Sequence, residues 1–203
     1  MTRPQRRVGA ENSATRALIV KTTEELILEQ GYGSLSTRRV AARAGLKPSL
    51  VHYYFPTTDD LLLEVSRRGA EESDRMFEEA LESDNPLQAL WGFLIDTSRT
   101  AMALEFMAMA NRRDALRAHM AEHCQQMRER EIKIFRKLIG GRLEGPDGLP
   151  PEALSVVLAG IGRAIIMEEN LGVDTGHEAA KAFVEQWLEK LAPDQSLVKN
   201  AEA

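Results

Sequence analysis

Residues 36–62 read STRRVAARAGLKPSLVHYYFPTTDDLL. Ser36 or Thr37 suits the cap of a short helix, RRVAARA, that Gly45 ends. Its inward positions Val40, Ala41 and Ala44 are small or β-branched, and Arg38, Arg39 and Arg43 stay outside. Pro48 then fits the first position of a second short helix, where its missing N–H needs no partner. At about 100° per residue, Val51 and Phe55 share one face with Tyr54 on its edge. Ser49 and Tyr53 point the other way, flanked by Leu50 and His52. Helices this short are not stable alone, so Val51 and Phe55 must anchor this one while its other face is presented. Pro56 breaks the chain, and TTDD caps and charges the start of a long helix. Two short helices joined by a glycine turn, the second exposing polar and aromatic groups, form a helix-turn-helix. Such a pair suits a DNA major groove, which admits one helix while the preceding helix crosses the phosphates.

The surroundings read as helix throughout. Ser13 caps a helix running to Gln30, with Ile19, Leu26 and Ile27 inward and Gly31 as the stop. After residue 58, helical periodicity predicts elements at about 59–82, 87–95, 100–110, 112–139, 151–170 and 177–191. Breaks fall at SDNP (83–86) and at GGRLEGPDGLPP (140–151). The expected fold class is all-α. A basic arm covers 1–12, a three-helix DNA-binding domain 13–57, a helical effector-binding and dimerisation domain 58–192, and a tail 193–203.

Charge divides the chain in the same place. Its net charge is −5, yet residues 1–58 carry nine Lys/Arg against four acids, +5, leaving −10 for the remainder. A basic head on an acidic body suits a polyanionic partner. With 43% hydrophobic and 28% charged residues the composition is that of a globular protein. The single cysteine, Cys124, excludes an internal disulfide and a multi-thiolate zinc site. No apolar run approaches a membrane span, and no signal-type segment follows the basic start, so the expected location is cytoplasmic.

Over about residues 13–64 the sequence resembles the TetR-type transcriptional regulators. The resemblance rests on the Thr-initiated helix with Val-Ala, the Ala-Gly turn, the four-residue connection, the aromatic helix ending in Phe, and the acidic-Leu start that follows. It implies DNA contacts from Thr37, Arg38, Arg39, Lys47, Ser49, Leu50, His52, Tyr53 and Tyr54. Arg38 matches a position that reaches bases or phosphates; Ser49, Leu50, Tyr53 and Tyr54 match groove-facing positions. Leu50 there either meets a thymine methyl or closes the head's core. His52 stands where the family usually has a phosphate-bonding tyrosine, a role that imidazole also serves. Three departures accompany the match: Lys47 for a Ser/Thr cap, Thr58 for a common lysine, and Thr22-Thr23 for an Ala pair.

The acidic body supplies the assembly. SVVLAGIGRAIIMEEN (155–170) is apolar on almost every side, so it must be buried on more than one face. The last helix repeats apolar residues at heptad-like spacing. In the family this pair forms a four-helix dimer interface, and its counterpart here comprises Val157, Gly160, Ile161, Ala164, Phe183, Val184, Trp187, Leu188 and Leu191. A two-fold dimer offers two reading helices to half-sites about 34–36 Å apart or a multiple of that, hence a palindromic operator. The middle helices are rich in adaptable methionine. The resemblance implies a pocket there for an apolar or amphipathic effector, with candidates Trp91, Ile95, Arg99, Met102, Phe106, Met109, Met120, His123, Met127 and Glu169; plain core packing is the alternative for each. HMAEH (119–123) matches a zinc-peptidase spacing but sits in an ordinary core stripe with Leu116, Met120, Cys124 and Met127, and no metal or other cofactor is expected. The sequence therefore predicts a homodimeric DNA-binding repressor, not an enzyme, released by a small molecule. The other reading is a dimeric architectural DNA-binding protein without an effector.

Overall fold

The computed structural model describes residues 13–139 and 149–191; the arm at 1–12, most of the loop at 140–151 and the residues from 192 onward, which include the expected tail, lie outside the described residues. Among the described residues there are nine α-helices, one 3-10 turn and no strand. They are α1 (Ala14–Gln30), α2 (Thr37–Arg43), α3 (Pro48–Tyr54), α4 (Thr58–Leu81), α5 (Pro86–Leu94), α6 (Thr97–Ala110), α7 (Asp114–Ile139), α8 (Pro151–Glu169) and α9 (His177–Leu191).

Local chemistry accounts for the boundaries. Ser13 accepts the Arg16 backbone N–H at 3.1 Å, and Ser36, not Thr37, caps α2 by accepting from the Arg39 N–H. Gly31 ends α1 with φ 67° and Gly45 follows α2 with φ 68°, a left-handed region that side chains resist. At the start of α4 the cap is reciprocal. The Asp60 carboxylate accepts from the Thr57 N–H and hydroxyl, and the Thr57 hydroxyl accepts the Asp60 N–H at 3.0 Å. Asn85 caps α5 ahead of Pro86.

The chain forms two compact units, one built from residues up to 72 together with 101–122, the other from 73–100 together with the residues from 123 onward. In the first, α1 contributes Ile19, Val20, Leu26 and Ile27 to the core, α2 Val40 and Ala41, and α3 Val51, with Phe55 following. Leu61, Leu62 and Val65 of α4 complete that core with Phe106, Met109 and Ala110 of α6 and Leu116 of α7. Arg16 pairs with Glu64 and lies over the Phe55 ring at 5.0 Å, tying α1 to α4 at the end of α3. The unusual Thr22-Thr23 pair is fully absorbed. Both are buried, and the Thr23 hydroxyl donates to the Ile19 carbonyl at 2.8 Å, so the more deeply buried hydroxyl is satisfied.

The second unit packs Phe77 of α4, Leu87, Leu90, Trp91 and Phe93 of α5, and Met127, Phe135 and Ile139 of α7. Leu154 and Leu158 of α8 and Val184 and Leu188 of α9 close it. Arg130 covers the Phe77 ring at 4.6 Å while its head pairs with Asp74 and Glu78. A Cβ added at Gly162 would lie 2.6 Å from the Leu94 carbonyl oxygen, so α8 approaches the end of α5 as closely as glycine permits.

Candidate functional site

The head is assembled around α3. Val51 and Phe55 are buried, and Tyr54 packs on the edge of the same core. Anchored in this way, α3 turns Ser49, His52 and Tyr53 outward. Tyr53 is 46% exposed and meets the Tyr54 ring edge-on, centroids 5.2 Å apart, so its orientation is supported from behind. Leu50 is half-buried and is not among the partly buried side chains on the head core, which include Tyr32, Leu35, Leu46 and Tyr54. Thr37, at the start of α2, places its hydroxyl 3.2 Å from His52 Nε2, linking the two helices of the motif across their polar side.

The exposed cations fall into two sorts. Arg43 is tied back to Glu29 at 2.7 Å and Arg39 to Gln30 at 2.5 Å, both at the C-terminal end of α1. Arg38 and Lys47 are exposed, and among the described residues neither has a hydrogen-bonded or ionic side-chain partner. No side chain caps α3 at Lys47; Pro48 has no N–H, and the Leu50 N–H donates to the Lys47 carbonyl at 2.9 Å. A guanidinium and an ammonium without partners among the described residues, beside exposed tyrosine and imidazole, suit a phosphate backbone with base edges beyond it.

Residues 19–65 match the family model of the bacterial regulatory proteins, tetR family. Over these residues the chain carries a TetR-type DNA-binding head. The match spans the three head helices and the first part of α4. No curated protein matches the sequence. Solved structures match nearly its whole length. A TetR transcription regulator from Haloarcula marismortui is similar with TM-score 0.70 at 21% identity, covering 88% of this chain and 98% of its own. A transcriptional regulator from Saccharomonospora viridis in complex with choline gives 0.74 at 17% identity, covering 89% and 98%. The multidrug binding protein EbrR complexed with imidazole gives 0.59 at 25% identity, covering 90% and 97%. The TetR-type fold therefore extends beyond the matched head to the body.

The residues singled out for an effector are distributed over both units. Met102, Phe106, Met109 and Met120 pack in or on the head core. Trp91 and Met127 are buried in the core of the second unit, with Ile95 half-buried against it. His123 is half-buried; Glu169 is held by Lys181 at 3.2 Å beside His177. Arg99 is the polar group most engaged with the interior. It donates to the Phe93 carbonyl at 2.5 Å and stacks on the Phe93 ring at 3.8 Å. Four further polar residues of that interior, Arg128, Glu131, Ser155 and Arg163, went unremarked in the sequence. Glu131 belongs to the run MRERE, which reads as a solvated helix face, and periodicity alone does not mark it as 5% exposed. Near HMAEH, as elsewhere among the described residues, no group of three His, Cys, Asp or Glu gathers at metal-holding distance.

The dimer candidates separate cleanly. Val157, Gly160 and Ala164 of α8 are exposed, joined by Val156 and Met167; Ile161 is half-buried. On α9 Phe183 is 66% exposed and stacked with the half-buried Trp187, and Leu191 is half-buried. Val184 and Leu188 turn the other way and are fully buried in the chain's own core. Helical rotation explains it, since the stripe is wider than one face and its two sides have different fates. Among the described residues no helix is long and apolar enough to cross a membrane.

Proposed function

We propose that this regulator is a homodimeric, cytoplasmic repressor that reads a palindromic operator through α3 and releases it when an apolar or amphipathic small molecule binds the body. The observation that carries the DNA half is the outward face of α3, with Tyr53 exposed and supported, beside Arg38 and Lys47, which have no partner among the described residues. Thr37, Arg39, Ser49, Leu50, His52 and Tyr54 complete the proposed contact set. The dimer is supported by the apolar surface that α8 and α9 leave in water, Val156, Val157, Met167 and Phe183 foremost. Side chains so apolar and contiguous by helical spacing are the mark of an interface. The effector reading draws support from relatives of the same fold solved with choline and with imidazole. A ligand works such a switch only as far as it binds the two states unequally.

Selection from a randomised duplex pool at two salt concentrations tests the proposal. The expected result is enrichment of an inverted repeat, bound by a dimer and released by one of a chemically mixed panel of small molecules. Salt-sensitive binding without an enriched sequence would leave the architectural reading in its place.

A further inference from the structure

Inside the second unit, α6, α7 and α8 bring five ionised or hydroxyl side chains to one region. Glu131 is buried, and its carboxylate accepts from the fully buried Ser155 hydroxyl. Arg128 donates to Ser155 Oγ at 2.6 Å and lies 3.4 Å from the same carboxylate oxygen. Arg99 and Arg163 also act electrostatically on Glu131. Burial pushes the Glu131 carboxyl up, and Ser155 and the three arginines oppose that push. Asp96, the other acid acting on Arg99, caps α6 through the Arg99 backbone N–H at 2.8 Å.

The pairing is lopsided. Arg128 and Ser155 already occupy Glu131. The Arg99 side chain is held through one terminal nitrogen by the Phe93 carbonyl and Thr100, and its Nε–H is buried without any partner. Arg163 is half-buried on α8 and, among the described residues, has no hydrogen-bonded or ionic partner. Two guanidiniums that repel each other, one with an orphaned buried donor, are costly unless an acceptor joins them. The indole N–H of the fully buried Trp91, two residues before Phe93, is a further donor without a partner. What this region lacks is negative charge and acceptor atoms.

Resting on the effector reading above, we infer that the body's ligand is an organic anion whose carboxylate or equivalent group is taken by Arg99 and Arg163, with Phe93 beneath the guanidinium and the Glu131–Ser155–Arg128 group as a fixed polar wall. Arginine suits this because its planar fork matches a carboxylate with two parallel donors. A cationic ligand is disfavoured, because the buried acid that would receive it is already hydrogen-bonded and surrounded by arginines.

The test uses the full-length protein and three probes of equal chain length: octanoate, octanamide and octyltrimethylammonium, with carboxylates of four to twelve carbons extending the first. Calorimetric titration and thermal melting are expected to show octanoate bound at least about tenfold more tightly than octanamide, the worth of one charge-assisted hydrogen bond. Arg163→Gln removes one of the three arginines acting on Glu131, so its folding is checked by circular dichroism, and it should abolish the preference for the carboxylate. Arg163→Lys should retain part of it. Equal binding of acid and amide, preference for the ammonium, no binding across the carboxylate series, or an unchanged preference in Arg163→Gln would each overturn the inference. None of these would touch the broader effector reading, which fails separately if nothing in the mixed panel releases the selected operator.

Discussion

Tyr53 and Lys47 are both exposed in the head, and their chemistry separates them. A supported phenol on the outward face of α3 has the reach and the hydroxyl to touch a base edge. Tyr53→Ala should therefore weaken binding to the selected operator more than binding to unrelated duplex, as seen in parallel titrations of the two. Equal losses would make Tyr53 a phosphate or packing residue. Lys47 is a point charge beside the uncapped N-terminus of α3. Lys47→Ala should lower affinity for all duplexes alike and reduce the slope of log affinity against log salt by about 1, the share of one phosphate. The outward placement of Tyr53 was legible in the sequence, because it follows from helical phase around Val51 and Phe55. The different standing of Arg38 and Arg43 was not. Only the fold shows that Arg43 is engaged by Glu29, while Arg38 has no partner among the described residues.

At the scale of elements, α8 does two jobs with one helix. Its inner face carries Leu154, Ser155, Leu158, Ala159, Gly162, Ile165 and Ile166 into the core, and its outer face leaves Val156, Val157 and Gly160 in water. The two glycines are therefore unlike. Gly160 faces open space, whereas Gly162 meets the Leu94 carbonyl. Gly162→Ala should destabilise the protein by about 1–3 kcal/mol, because a backbone carbonyl cannot swing aside as a side chain can, whereas Gly160→Ala should be neutral or slightly stabilising in the monomer. Denaturant melts of the two variants check this directly. Helix positions were readable from caps and punctuation, and the observed ends fall within a few residues of the expected ones. The division of α8 and α9 into core and surface sides was not, because a helix apolar all round gives no phase.

For the molecule as a whole, the proposed dimer makes a definite demand. Phe183→Glu places a charge on the exposed side of α9 and leaves Val184 and Leu188 in the core. It should preserve folding by circular dichroism, shift the sedimentation behaviour to that of a monomer, and abolish tight binding to the two-half-site operator. A single half-site should still be bound at the weak affinity of one head. If the variant sediments as the parent protein does, the interface lies elsewhere.

The sequence by itself determined the all-α class, the order of the helices and the position of the reading helix. Each of these depends on near neighbours: caps, glycine stops, proline starts and the phase of a few apolar residues. Only the tertiary structure decided which side of the apolar α8 and α9 remains exposed, that Arg39 and Arg43 of α2 are held by α1, and that Glu131 lies buried among arginines. These facts depend on residues distant in sequence. Burial of Glu131 requires Ser155 to arrive from α8, and the closeness of α8 to α5 requires Leu94 opposite Gly162. Such pairings leave no local signature, because the same side chain is ordinary on a solvated helix and exceptional against another chain segment.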